Sequence, residues 1–203
     1  MTQALVLIAA YLLGSIPFAY LAGRARGVDI RTVGSRNVGA TNVFRTLGRR
    51  IGVAVMALDI AKGAVAVAVA RVLLESPWPL LAAAAAILGH VFPVWLRFRG
   101  GKGVAVAGGA VLALTPLPAL VALAVWLTLT VLTRYVSIGS VAGAVAYPVA
   151  VAALGEPWPT VVFSLLAGAA VIAKHRANLV RLARGTELRV DLGRRGRPPE
   201  AAG

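Results

Sequence analysis

The sequence predicts an all-α integral membrane protein of about seven transmembrane helices, with the N-terminus outside and the C-terminus in the cytoplasm. Three observations carry that expectation. The 203-residue chain is 59% hydrophobic and 14% charged, against roughly 45–50% and about 25% in a soluble domain. Apolar runs near the ~20 residues that cross a bilayer recur along most of its length. All but two of its 21 Lys and Arg residues, the exceptions being Lys62 and Arg71, fall in alternate breaks between those runs or in the C-terminal tail. Positive charge gathered on one side is what orients a polytopic chain.

The first run, 4–23, has no basic segment before it and is followed by Arg24 and Arg26, so it reads as an uncleaved span. Ser15 and Pro17, in GSIPFAY, interrupt it, and the helix hydrogen bonds that Pro17 removes must be met by a neighbouring polar group. The second run, 51–74, holds Asp59 and Lys62. Counted from the start of the run they lie ~12–17 Å deep, where charges pair or line a polar cavity. A structural ion pair is the first expectation and a lining for a site the second.

The third run, 80–96, carries His90, expected to hydrogen-bond between helices. The fourth, 104–115, rises only ~18 Å and is expected to be short or re-entrant, turning at TPLP on Pro116 and Pro118. Fusing it with the fifth run, 119–133, would send Arg134 and the basic tail outside, against the charge rule. Runs 137–154 and 160–173 complete the set, and Trp78, Trp95 and Trp158 near run ends suit interfacial anchoring.

One membrane domain is expected over 1–192, followed by a disordered basic tail, GRRGRPPEAAG, at 193–203. The formal net charge of +14 is assigned to anionic lipid headgroups on the cytoplasmic side, not to nucleic acid. Cysteine is absent, which excludes disulfides, thiolate metal sites and a cysteine nucleophile. No metal cluster is apparent, and no cofactor is expected.

Three polar stretches carry the chemistry. VGSRNVGATNVFR, 33–45, brings Ser35, Asn37, Thr41, Asn42 and Arg45 together between glycines that let backbone N–H groups approach a ligand. That inventory suits an oxyanion, each charged hydrogen bond being worth about 1.5–3 kcal/mol. The alternative is a solvated loop in which Ser35 or Thr41 caps a following helix. GHVFPVWLRFRGGKGVA, 89–105, sets Arg99 and Lys102 around Gly100, Gly101 and Gly103 at the head of an apolar run, where amides and cations can cradle phosphate. It is not a nucleotide P-loop, since Leu96 and Gly103 stand where that motif needs Gly and Ser or Thr. KHRANLVRLARGTE, 174–187, repeats His175, Asn178 and Arg181 at three-residue spacing on one helical face. A juxtamembrane basic helix binding anionic lipid explains its arginines equally well, but not His175 and Asn178.

These blocks, with GSIPFAY before them, resemble in order and separation the bacterial membrane-bound acyl-phosphate:glycerol-3-phosphate acyltransferases, over nearly the whole chain to Glu187. The resemblance implies a seven-span inner-membrane enzyme with a cytoplasmic active site, acting in phospholipid biosynthesis. It would move a fatty acyl group from acyl-phosphate to position 1 of sn-glycerol 3-phosphate, giving lysophosphatidic acid and phosphate. It further implies Ser35, Arg45, Lys102, His175 and Asn178 as catalytic residues. Asn37, Thr41, Asn42, Gly100, Gly101 and Gly103 would bind substrate, and Glu187 would hold structure. The substrates and membrane lipid are its expected partners, and a monomer is expected.

The residue inventory fits activated-donor chemistry. Five residues after His90 stands Trp95, and five after His175 stands Val180, so neither histidine has the carboxylate that a local His–Asp base requires. Positioning and charge neutralisation by Lys102, Arg45 and amides would then supply most of the catalysis, with the proton passing either to His175 or to the leaving phosphate. A transporter or channel for organic phosphates is the rival reading, in which the same loops would line a pathway. Many transporters show inverted repeats, which this sequence does not.

Overall fold

The expected runs become helices, the first of them divided into two, whose ends fall where the prolines, glycines and charges place them. A computed structural model describes residues 1–190. It contains α1 (Thr2–Ser15), α2 (Phe18–Arg24), α3 (Ala40–Thr46), α4 (Arg49–Leu73), α5 (Trp78–Val91), a 3-10 turn (Val94–Leu96), α6 (Val104–Leu114), α7 (Pro116–Thr133), α8 (Val136–Ala153), α9 (Trp158–Lys174) and α10 (Arg176–Ala183). No strand occurs among the described residues. The expected tail at 193–203 lies outside them.

Five segments are long and apolar enough to cross a membrane: Thr2–Arg24, Arg49–Leu73, Trp78–Leu96, Pro116–Thr133 and Val136–Ala153. Helices α9 and α10, bent by 53° at His175, make a sixth if counted together. Helix α6 has only 11 residues, about 16 Å at 1.5 Å each, so the seventh expected span falls short of a full crossing by itself. The chain reverses at Thr115, where α6 stops and Pro116 opens α7. The Thr115 hydroxyl lies 2.8 Å from the Tyr147 hydroxyl, which satisfies both groups inside the bundle.

Helices pair where small residues let backbones touch. Gly14 of α1 sits against the Ala86 backbone and Gly89 of α5 against the Tyr11 carbonyl; Gly63 of α4 faces the Val106 carbonyl and Gly109 of α6 the Ile60 carbonyl. Lipid tails are as apolar as leucine, so such close packing is what drives association in a bilayer. The pairs α1/α5, α4/α6 and α7/α8 build the bundle, with α9 laid on α8.

Two features expected at buried positions are met together. Helix α1 ends at Ser15, before Pro17, and the Ile16 carbonyl in the break accepts hydrogen bonds from Lys62 Nζ at 2.8 Å and from the Phe18 N–H at 3.2 Å. The same ammonium lies 2.9 Å from Asp59 Oδ1. The second charge outside the basic loops, Arg71, donates to the Leu114 carbonyl at 2.7 Å and so caps the C-terminus of α6. The first turns of α4 pack against α3, with Gly52 on the Phe44 backbone.

Candidate active site

Following the chain through its reversals, the loops 25–48, 92–103, 134–135 and 175–190 gather at one end of the bundle. That end carries the three polar stretches.

The first is organised from inside. Asn42 Nδ2 donates to the Ile30 and Val33 carbonyls at 3.0 and 3.1 Å, and its Oδ1 accepts from the Ser35 N–H at 2.9 Å. Both amide hydrogens are spent and the residue is 1% exposed, so Asn42 has no donor left for a phosphate. In this structure its side chain folds the loop that presents Ser35. Neither Ser35 nor Thr41 caps a helix, since α3 opens at Ala40 behind Gly39 without a side-chain cap. Ser35, Asn37 and Thr41 are half-buried. Arg45, on the last turn of α3, donates from Nη2 to the Leu188 carbonyl at 2.8 Å, while its buried Nε has no protein partner. Burial and the neighbouring Arg181 hold its pKa below the usual arginine value, with Glu187 opposing.

The second stretch rests on the end of α5. The Gly100 N–H donates to the Val91 carbonyl at 3.1 Å and the Gly101 N–H to the His90 carbonyl at 3.2 Å. These two amides therefore turn back onto the end of α5. Glycine is needed there because a Cβ at either position would strike His90. Gly103 has φ +81° and heads α6, a conformation that favours glycine. The loop thus lifts Lys102 alone. Arg99 is exposed.

Lys102 Nζ donates to Asn178 Oδ1. Asn178 Nδ2 in turn donates to Glu187 Oε1 at 2.6 Å, Ser137 Oγ donates to the same oxygen at 3.0 Å, and Arg181 Nε donates to Glu187 Oε2 at 2.7 Å. His175 is 3% exposed, and its Nδ1 lies 2.8 Å from the Val171 carbonyl. That carbonyl can only accept, so the ring proton sits on Nδ1 and Nε2 is left bare. Burial and the Lys102 charge push the His175 pKa down to about 4. Burial also lowers that of Lys102 to about 8, aided by Arg181, Arg45 and Lys174 and opposed by Glu187.

Arg45, Lys102, His175 and Asn178, from three separated segments, therefore meet at one place. Arg181 and Ser137 join them. Arg181 was legible in the three-residue spacing of the last block, but Ser137 and the Leu188 carbonyl carry no local signal. Around Glu187, buried with 8% exposure, stand Arg45, Lys102 and Arg181. Three cations on one carboxylate leave positive charge unbalanced, which suits a phosphorylated ligand.

Fold and site together define a helical membrane protein with a cluster of cations around one buried carboxylate at its loop end. The glycerol-3-phosphate acyltransferase family model matches residues 4–185, and the chain belongs to that family. A glycerol-3-phosphate acyltransferase of Desulforamulus reducens is 46% identical over 93% of this chain and 96% of its own, and one of Geobacter sulfurreducens is 49% identical over 93% and 98%. Crystal structures of PlsY (YgiH), an integral membrane glycerol 3-phosphate acyltransferase, superpose over 94% of this chain and 96% of theirs. The glycerol 3-phosphate form has a TM-score of 0.91 at 39% identity, and the lysophosphatidic acid form 0.88 at 38%.

Proposed function

We propose that this chain transfers a fatty acyl group from acyl-phosphate to the 1-hydroxyl of sn-glycerol 3-phosphate, at the cytoplasmic face of a bacterial inner membrane. The products are lysophosphatidic acid and inorganic phosphate, and the step opens phospholipid synthesis. The observation that carries this reading is the convergence of Arg45, Lys102 and Arg181 with neutral His175 around a single carboxylate.

Two phosphorylated substrates repel each other, and the cations offset that repulsion while fixing the reacting atoms in line. The 1-hydroxyl oxygen attacks the acyl carbonyl carbon, and the bond from that carbon to the phosphate oxygen breaks. Lys102 and Arg45 stabilise the charge that grows on carbonyl and leaving group. His175 Nε2 accepts a hydrogen bond from the hydroxyl and aims it. With a pKa near 4 the imidazole is a poor resting place for a proton, so the proton passes to an oxygen of the departing phosphate. Ser35, Asn37 and Thr41 supply neutral contacts from the first loop. An apolar groove between the Pro17 break and the Val94–Leu96 turn, lined by Ile16, Tyr20, Leu21 and Trp95, suits the oily tail of the donor. Every group invoked comes from one chain, so a monomer suffices.

The test is incubation of the purified protein with palmitoyl-phosphate and glycerol 3-phosphate. Lysophosphatidate and phosphate are expected in equal amounts, with palmitoyl-CoA inactive as donor. Product from palmitoyl-CoA alone would overturn the donor assignment, and no lysophosphatidate from either donor would overturn the acyl transfer.

A further inference from the structure

Beneath the glycine loop lies a second buried polar cluster that the chemistry above does not use. Asp59 and Lys62 on α4 are 1% and 3% exposed, and Asp59 Oδ1 lies 2.9 Å from Lys62 Nζ and 3.6 Å from His90 Nδ1. Lys62 also holds the Ile16 carbonyl at the helix break, and its ammonium sits 5.4 Å from the centre of the Phe18 ring. The far edge of the His90 ring, Nε2, abuts Gly101 where a side chain would begin, and the Val38 carbonyl abuts it on another side. A small cavity lined by Ser15, Val38, His90, Gly100 and Gly101 marks the meeting place.

We propose that Asp59, Lys62 and His90 form a positioning unit for the reaction: the ion pair fixes the His90 ring, and the ring wedges the Gly100–Gly103 loop against the first loop, setting the height of Lys102. The physical sense lies in directionality. A buried ion pair contributes little net stability compared with packed apolar groups, but it holds its members in one arrangement. Here the pair is anchored at one end by the Ile16 carbonyl, and at the other its carboxylate faces the His90 ring at 3.6 Å. The next residue after Gly101 is Lys102, so slack at the ring becomes misplacement of the ammonium. Displacement by about 1 Å is enough to cost on the order of a hundredfold in rate. The unit contacts no reacting atom itself, so its residues are positioning residues.

The inference rests on the acyltransferase reading for its kinetic readout only, because loop placement is also measurable by hydrogen exchange on the full chain in detergent. His90→Asn keeps a donor toward Asp59 but leaves nothing under Gly101, whereas His90→Gln returns a nitrogen to the place of Nε2. His90→Asn is expected to speed exchange at the Gly100 and Gly101 amides by about tenfold or more and to raise KM for glycerol 3-phosphate by about tenfold. KM for palmitoyl-phosphate should stay within about twofold and the melting temperature within about 3 °C, while His90→Gln recovers most of the loss. Asp59→Asn alone strands the Lys62 charge, so the neutral double variant Asp59→Asn, Lys62→Met is used, with the same expected pattern. The proposal is overturned if His90→Asn leaves loop exchange within about twofold of the parent, or if loop exchange, both KM values and melting all shift together. A parent protein that makes no lysophosphatidate, with the exchange response intact, would fail the acyltransferase reading and leave this one standing.

Discussion

At the residue scale, the site is a set of polar groups whose hydrogen-bonding capacity is nearly all committed before substrate arrives. Lys102 must carry its proton to serve, and its pKa is held near 8. The group is therefore charged below that pH and loses its charge above it. For the free enzyme, kcat/KM for glycerol 3-phosphate should be flat toward neutrality and fall about tenfold per pH unit above pH ~8. Lys102→Arg should move that fall upward by more than about two pH units, though at a lower plateau, since a planar guanidinium does not replace a point charge. His175 is neutral above about pH 4, so it contributes no acidic limb between pH 5 and 7. If His175 aims the hydroxyl without taking its proton, His175→Gln should retain more turnover than His175→Ala. A loss of several orders of magnitude in both variants at unchanged substrate affinity would instead make it the base. The two asparagines of the first loop separate in the same way. Asn42→Ala strands the Ile30 carbonyl and the Ser35 N–H, the Val33 carbonyl keeping the Arg36 N–H, and should cost about 2–4 kcal/mol of stability, read as a fall in melting temperature. Asn37→Ala should leave melting unchanged and raise KM.

At the element scale, the glycines decide how near the helices come. Gly109 on α6 faces the Ile60 carbonyl so closely that a methyl group has no room. Gly109→Ala should force α4 and α6 apart and cost about 1–3 kcal/mol, measured as lower thermal stability in detergent. Gly108, one position along and open, is the control: Gly108→Ala should match or exceed the parent. The bend between α9 and α10 at His175 belongs to the same scale. A straight helix would carry Asn178 and Arg181 away from the bundle, and the 53° turn brings both to Glu187.

At the scale of the whole molecule, the segment after α10 works as a strap. It offers Glu187 to Asn178, Arg181 and Ser137, and the Leu188 carbonyl to Arg45; the Val190 N–H donates to the Arg134 carbonyl at 2.8 Å. One short stretch thus ties α3, α8 and α10 to a single site. Orientation is also a property of the whole, and the absence of cysteine makes it measurable. Glu75→Cys and Leu154→Cys should react with an impermeant maleimide on intact cells, and Thr32→Cys and Arg184→Cys only after permeabilisation. The reverse pattern would sink the charge-based topology.

Run lengths, the break at Pro17, the reversal at Thr115 and the three polar blocks were all set by local chemistry. Helix ends and apolar periods need only neighbours in the chain, which is why residues alone placed them. The sequence also singled out Arg45, Lys102, His175 and Asn178, because charged and amide side chains in an oily chain stand out without coordinates. What it could not decide was where each polar group spends its hydrogen bonds. Asn42 and the Gly100 and Gly101 amides turn inward, and Ser137, His90 and the Leu188 carbonyl become part of the site or its support. Those assignments depend on contacts between segments far apart in sequence, and only packing of the whole bundle brings a donor to its acceptor.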